Sequence, residues 1–156
     1  MKSDGGTPKT ETQVSIEVIN EKPAEAIDIL MQGLCAYNHS VAGDGQSEPL
    51  SAFARIGGEV IGGVSGRTVY RHFLIEAVWI HESLPGTELG RRLMQSAEEE
   101  ALHRGCVAAQ VDTLSFQGVD FYRRLDFDVI GKVPDFPPGH DRYFMLKRYG
   151  AARSAR

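Results

Sequence analysis

The stretch that decides the fold runs from Ile75 to Gly105 and reads I-E-A-V-W-I-H-E-S-L-P-G-T-E-L-G-R-R-L-M-Q-S-A-E-E-E-A-L-H-R-G. Phe73, Leu74, Ile75, Ala77, Val78, Trp79 and Ile80 make a nearly continuous apolar run that ends at His81-Glu82-Ser83. A run of this kind reads as a central, buried strand. Pro85-Gly86 marks a turn, and Thr87 is a good N-cap. Glu88 puts an acid in the first turn, where the helix dipole favours one. Leu89, Leu93, Ala97 and Ala101 recur every four residues and form one apolar helix face, and Gly105 stands where a helix-ending glycine belongs. The first turn of a helix aims unpaired N–H groups forward and adds partial positive charge. Gly86 and Gly90 have no Cβ to hold an anion off the backbone, and Arg91 and Arg92 add formal charge. The stretch therefore reads in two ways: as a pyrophosphate cradle, or as an ordinary strand–turn–helix crossover with a capped helix.

Composition narrows the class. A chain of 156 residues is long enough for one domain with a proper core. Its 42% hydrophobic and 24% charged residues are those of an ordinary globular protein. The net charge of −4 gives no reason to expect nucleic acid or an anionic membrane as partner. No apolar run approaches the ~20 residues of a membrane span, and the polar start, Met1 to Gln13, has no signal-peptide core. A cytoplasmic protein is expected. Cys35 and Cys106 make neither a disulfide framework nor a zinc site. Both read as small buried hydrophobes in a reducing compartment, and no metal is expected.

Outward from the central stretch, residues 1–13 read as a disordered arm, 14–148 as a single domain and 149–156 as a frayed tail. Val14 to Ile19 alternates with period 2 and reads as a first strand. Ala26, Ile27, Leu30, Met31 and Leu34 repeat at helical spacing up to about Tyr37, and a polar loop is expected from Asn38 to Pro49. Leu50 to Ile56 and Glu59 to Gly66 read as a hairpin around Gly57-Gly58. Gly62, Gly63 and Gly66 leave the second strand bare, a sign of a bulge or close packing. Thr68 to Arg71 reads as a turn. Past the long helix, Val107 to Val111 is a strand, Gly118 to Leu125 a short helix, and Phe127 to Lys132 and Asp141 to Lys147 the last two strands. A helix between two buried strands implies a right-handed crossover and parallel pairing. The predicted fold is a mixed, mostly antiparallel six- to seven-stranded sheet with a central parallel pair and helices on both faces.

The order of elements, the strand Glu76 to Ile80, the turn-helix Gly86 to Met94 and the block Phe121-Tyr122-Arg123-Arg124-Leu125-Asp126-Phe127 together resemble the GNAT superfamily of N-acetyltransferases. The resemblance covers about Val14 to Arg148. Asp112-Thr113 to Phe116-Gln117 and Pro137-Pro138-Gly139-His140-Asp141-Arg142-Tyr143-Phe144 look like one bacterial subgroup of it. In the family motif Arg/Gln-x-x-Gly-x-Gly/Ala, Gly90 matches the last position, Pro85 replaces the first and Glu88 replaces the central glycine. Ser115 stands where the family has an asparagine. The resemblance implies acetyl-CoA as cosubstrate, held by the backbone of Val78 to Ile80, by the amides of Leu89, Gly90 and Arg91 with Gly86 and Thr87 nearby, and by Ser115. Arg123 or Arg124 is expected at the 3′-phosphate.

Acetyl transfer needs the thioester beside the amine, a base for the amine's proton and a donor to the leaving sulfur. Tyr122 matches the family acid; its alternative role is packing. Glu76, a lone carboxylate in an apolar strand, is the first candidate base, because burial would raise its pKa; its alternative is a solvated or Arg-paired strand residue. His140, in a stiff proline loop, is the second. His72, His81 and His103 read as solvated. Trp79 is expected to pack under a helix, and Asp135, Phe136 and Arg142 to shape the acceptor site. The expected acceptor is a primary amine on a small molecule, a lysine or an N-terminus. Two other readings stay open: a catalytically weak acyl-CoA-binding module, and an interaction protein that dimerises through the sheet edge and its last strand.

Overall fold

The computed structural model describes residues 12–84 and 86–150. In chain order the elements are α1 (Ala24–Ala42), β1 (Glu48–Ile56), β2 (Glu59–Val69), β3 (His72–Ile80), α2 (Gly86–His103), β4 (Ala108–Leu114), α3 (Val119–Arg124), β5 (Asp128–Pro134) and β6 (Asp141–Arg148). The strands form one sheet in the order β1-β2-β3-β4-β6-β5. Among the described strands only β3 and β4 run parallel, joined by the α2 crossover; the other described pairs are antiparallel.

Local chemistry fixes most of this. Gly57 and Gly58 take φ of 55° and 86° and close the β1–β2 hairpin, which suits glycine. Tyr70 and Arg71 adopt the same left-handed geometry, φ 50° and 60°, between β2 and β3. The turn is therefore two residues long, and Thr68 belongs to β2. Leu93, Ala97 and Ala101 of α2 are buried, as the four-residue spacing requires. Gly105, at φ 84°, ends the helix: its N–H reaches the Leu102 carbonyl and the Cys106 N–H reaches that of Ala101. This is the 5→2 and 6→1 pair of a Schellman cap. The largest fully buried side chains are Phe73, Phe127, Met94, Met145 and Val64. Lys147 of β6 pairs with Glu98 of α2 and tethers the helix across the sheet.

The two faces of the sheet differ. A Cβ on Gly62 would meet Leu93 of α2, whereas one on Gly63 would meet the Phe53 ring, 2.7 Å away. Gly62 therefore faces α2, and Gly63, in register with Phe53 and Trp79, faces away from it. Between Ser65 and Gly66 the β2–β3 register shifts: Gly66 pairs with Ile75 and Ser65 with Ala77, so Glu76 is an extra, bulged residue. The bulge packs the strands so closely that a Cβ on Gly66 would lie 2.0 Å from the Leu74 carbonyl oxygen.

Several expectations are corrected. Residues 14–19 form no strand, and Val14, Ile16 and Val18 are 86%, 90% and 92% exposed. Alternation makes a strand only where a neighbouring edge supplies the ladder, and this segment meets none. The sheet thus has six strands. Helix α1 continues through Ala42, so the expected loop shrinks to 43–47. No residue of α1 is buried, so it covers neither face, and Cys35 on it is exposed rather than buried. Cys106 is buried, and desolvation raises its thiol pKa. The last strand, β6, lies inside the sheet between β4 and β5 and offers no edge for a dimer. Tyr149, expected in the tail, packs against the core and donates its N–H to the Val107 carbonyl; residues 1–11 and 151–156 of the arm and tail lie outside the described residues.

Candidate active site

The parallel pair holds for three registered positions, His72 with Ala108, Phe73 with Ala109 and Leu74 with Gln110. Beyond Leu74 the strands part. On its β4 side, the backbone of β3 from Ile75 to Ile80 has no strand partner, while its other side stays paired to β2. The opening is a cleft of about 570 Å³. Glu76 to Ile80 form one wall; Val111 to Thr113 form the other, with Gln117, Gly118, Phe121 and Tyr122 closing it.

Tyr122 is 6% exposed on α3, packed edge-on to Phe121 and Phe127. Burial, with a smaller contribution from the Asp112 charge, pushes its pKa up to about 12. Its phenol stays protonated at neutral pH, as a donor must. The short helix that carries it is set by Thr113, whose Oγ1 accepts the Gly118 N–H at 3.2 Å. Glu76 lines the cleft, but its side chain is 59% exposed and lies 3.9 Å from Arg67 Nε. The burial expected of Glu76 is not found: the bulge turns the carboxylate out of the core and beside the open cleft.

Other expected residues are placed differently. His140 packs its ring against Phe116, with centroids 4.7 Å apart, and does not line the cleft. Ser115 is engaged with the start of β6: its Oγ accepts the Asp141 N–H at 3.1 Å, and its N–H reaches the Asp141 carbonyl at 2.8 Å. Gly90 is buried against side chains, since a Cβ there would lie 2.9 Å from both Ile80 Cδ1 and Phe121. It lets α2 approach β3 and α3 and is not an opening for an anion. Helix α2 begins at Gly86, so Thr87 is inside it rather than its cap. Glu88 turns to solvent and pairs with Arg91 at 2.8 Å, which lowers the Glu88 pKa. The acid is thereby partly neutralised, and Arg91 is partly occupied. Leu89 is half-buried against the core. Arg91 and Arg124 share a groove between α2 and the end of α3, while Arg123 pairs with Asp120. Trp79, expected under a helix, is 55% exposed and lines the cleft. His72 bonds Gln110, His81 bonds Ser83 and His103 pairs with Glu100.

Asp112, read from the sequence only as part of the subgroup pattern, was given no role in the site. It lines the cleft opposite Glu76 and accepts from Arg142 Nε at 2.9 Å and Nη2 at 2.8 Å. The Arg142 guanidinium lies over the Phe136 and Phe144 rings. Period-2 alternation between buried Val111 and Thr113 is the signal that could have placed Asp112 on the open face.

A sheet split beside a helix N-terminus, with a protonated phenol at the split, matches what is known of a large class of acyl-transferring proteins. The sequence profile described as the acetyltransferase (GNAT) family matches residues 19–127. Blasticidin-S acetyltransferase of Streptomyces morookaense is 31% identical over 107 residues, 65% of this chain and 79% of that protein. The crystal structure of an Agrobacterium tumefaciens protein assigned as an acetyltransferase superposes with TM-score 0.82 at 27% identity, covering 87% of this chain and all of that one. An acetyltransferase from Bacillus cereus gives TM-score 0.77 at 27% identity over 85% of this chain and 98% of its own. The chain belongs to the GNAT family of N-acetyltransferases. Acetyl-CoA is the donor that family uses. No described helix is long and apolar enough to cross a membrane.

Proposed function

We propose that the protein acetylates a primary amine of a small, cationic molecule by direct attack on the thioester of acetyl-CoA. The observation that carries this reading is the parting of β3 from β4, which leaves a row of backbone N–H and C=O groups facing a cleft that ends at Tyr122. Acetyl-CoA would supply an acetyl group activated as a thioester. The unpaired backbone of Val78 and Ile80 would hold the pantetheine amides, and the free first-turn amides of α2, beginning at Gly86, the pyrophosphate. Arg124, in the groove shared with Arg91, stands ready for the 3′-phosphate. Glu76 takes the amine proton as the new C–N bond forms and the C–S bond breaks.

Tyr122 donates a hydrogen bond to the departing sulfur. Its pKa near 12 decides how far that donation goes. A thiol titrates near 8.5, so full proton transfer from this phenol runs uphill by roughly 5 kcal/mol. The phenol therefore steadies the developing thiolate as a donor, and solvent completes the protonation. The carboxylates of Glu76 and Asp112 favour a cationic acceptor, in keeping with the likeness to an enzyme named for blasticidin S. Release of free thiol from acetyl-CoA, followed across a panel of cationic primary amines including blasticidin S, tests the reading. Saturable, amine-dependent release is expected. Donor binding without release for any amine would reduce the protein to an acyl-CoA-binding module, and no donor binding would remove the reading altogether.

A further inference from the structure

The turn that leaves β4 carries a side chain to which the acetyl transfer proposed above assigns no part. Gln117 and Leu114 bond each other twice. The Gln117 N–H donates to the Leu114 carbonyl at 2.9 Å, and the Leu114 N–H donates to Gln117 Oε1 at 3.1 Å. A backbone N–H can only donate, so the side-chain atom it meets is the amide oxygen. The amide is therefore fixed in orientation, and its NH2 group bonds no described residue. Gln117 lines the cleft. Its neighbours are already engaged: Thr113 Oγ1 accepts the Gly118 N–H, and Ser115 Oγ accepts the Asp141 N–H. Among the described residues of this turn, Gln117 is the one that offers a free side-chain donor to the cleft.

The strand register tells how far along the split this donor stands. β3 and β4 pair at His72 with Ala108, Phe73 with Ala109 and Leu74 with Gln110, and then part. Carried on past the bulge, that register sets Leu114 close to the level of Val78. Glu76 lies nearer the apex, so the thioester belongs there. The first turn of α2 begins beyond the end of β3. Between the two, the pantetheine arm passes Val78 and Ile80, and Gln117 faces it from the β4 side. The carbonyl and N–H of an amide point in opposite directions. The free edge of β3 can serve one side of each pantetheine amide. The other side turns to the β4 wall and needs a partner there once water leaves. We infer that Gln117 binds the donor: its side-chain NH2 group donates to a pantetheine carbonyl on the β4 side of the cleft. This role rests on acetyl-CoA lying along β3 as proposed above. The double bond to Leu114 holds the amide in place before the donor arrives, so little freedom is lost when it binds.

Calorimetric titration of the full chain tests this without any turnover. The ligands are coenzyme A and 3′-phospho-ADP, which is its nucleotide end without the arm. Gln117→Glu keeps an oxygen for the Leu114 N–H and replaces the NH2 donor with an acceptor. Gln117→Met removes the donor without adding charge. Both variants should bind coenzyme A about tenfold more weakly than wild type. Both should bind 3′-phospho-ADP within about twofold of wild type, because the lost bond is to the arm. The thermal midpoint of Gln117→Glu should stay at the wild-type value, which a purely structural role for the NH2 group would not allow. Unchanged affinity for coenzyme A in both variants overturns the role. So does weakening in Gln117→Glu alone, which would be charge repulsion, or equal weakening for both ligands, which would be damage to the site as a whole. A wild-type chain that binds neither ligand removes the acetyl-CoA reading itself and this role with it.

Discussion

A phenol with a pKa near 12 is a good hydrogen-bond donor and a poor acid, and that difference is open to measurement. Replacing Tyr122 with Phe leaves the packing on Phe127 and removes only the hydroxyl. We expect kcat to fall by about 10²-fold while calorimetric affinity for acetyl-CoA stays within about twofold; loss of donor affinity instead would make Tyr122 a binding residue. The sequence could flag this tyrosine because its neighbours carry the family block. It could not say what Ser115, Trp79 or Gly90 touch. Each lies in a pattern whose local reading is sound, yet the surroundings that fix its role come from elsewhere: Asp141 for Ser115, the cleft between β3 and β4 for Trp79, and Ile80 with Phe121 for Gly90. Glu76 shows the same limit, since one bulged residue converts an expected core carboxylate into a cleft one.

The best-read elements are those whose ends carry their own chemistry. Gly57-Gly58 and Gly105 announced a hairpin and a helix end, and both stand where expected. The Tyr70-Arg71 turn was blurred because neither residue advertises left-handed geometry. The strand expected at 14–19 failed for another reason: its alternation is real, but no sheet edge of its own domain meets it. The α2 packing makes a prediction at this scale. Gly90→Ala places a methyl group 2.9 Å from Ile80 and Phe121, so α2 must shift against β3 and α3. We expect a loss of about 1–3 kcal/mol in chemical unfolding, with weakened donor binding as the first turn of α2 moves. An unchanged midpoint would show that Ile80 and Phe121 yield freely.

For the molecule as a whole, two buried phenols tie stability to alkaline pH. Tyr122 and Tyr149 both have pKa values raised chiefly by burial. A raised pKa means that the folded state favours the neutral form. The stabilisation is therefore complete below the ordinary value near 10 and is lost as pH climbs through the folded value. For Tyr122 the loss amounts to roughly 3 kcal/mol between pH 10 and 12. The thermal midpoint should drop over that window, and less steeply in Tyr149→Phe; equal slopes would show that Tyr149 ionises without unfolding the chain. The bulge at Glu76 has a different kind of reach. It exists because β2 has no Cβ at Gly66, where one would collide with the Leu74 carbonyl. The candidate base is thus held by a residue that no substrate touches. In the descent of such a chain, selection on catalysis would hold glycine at a site outside the chemistry. A lineage that lost this glycine would lose its base without any change to the base itself.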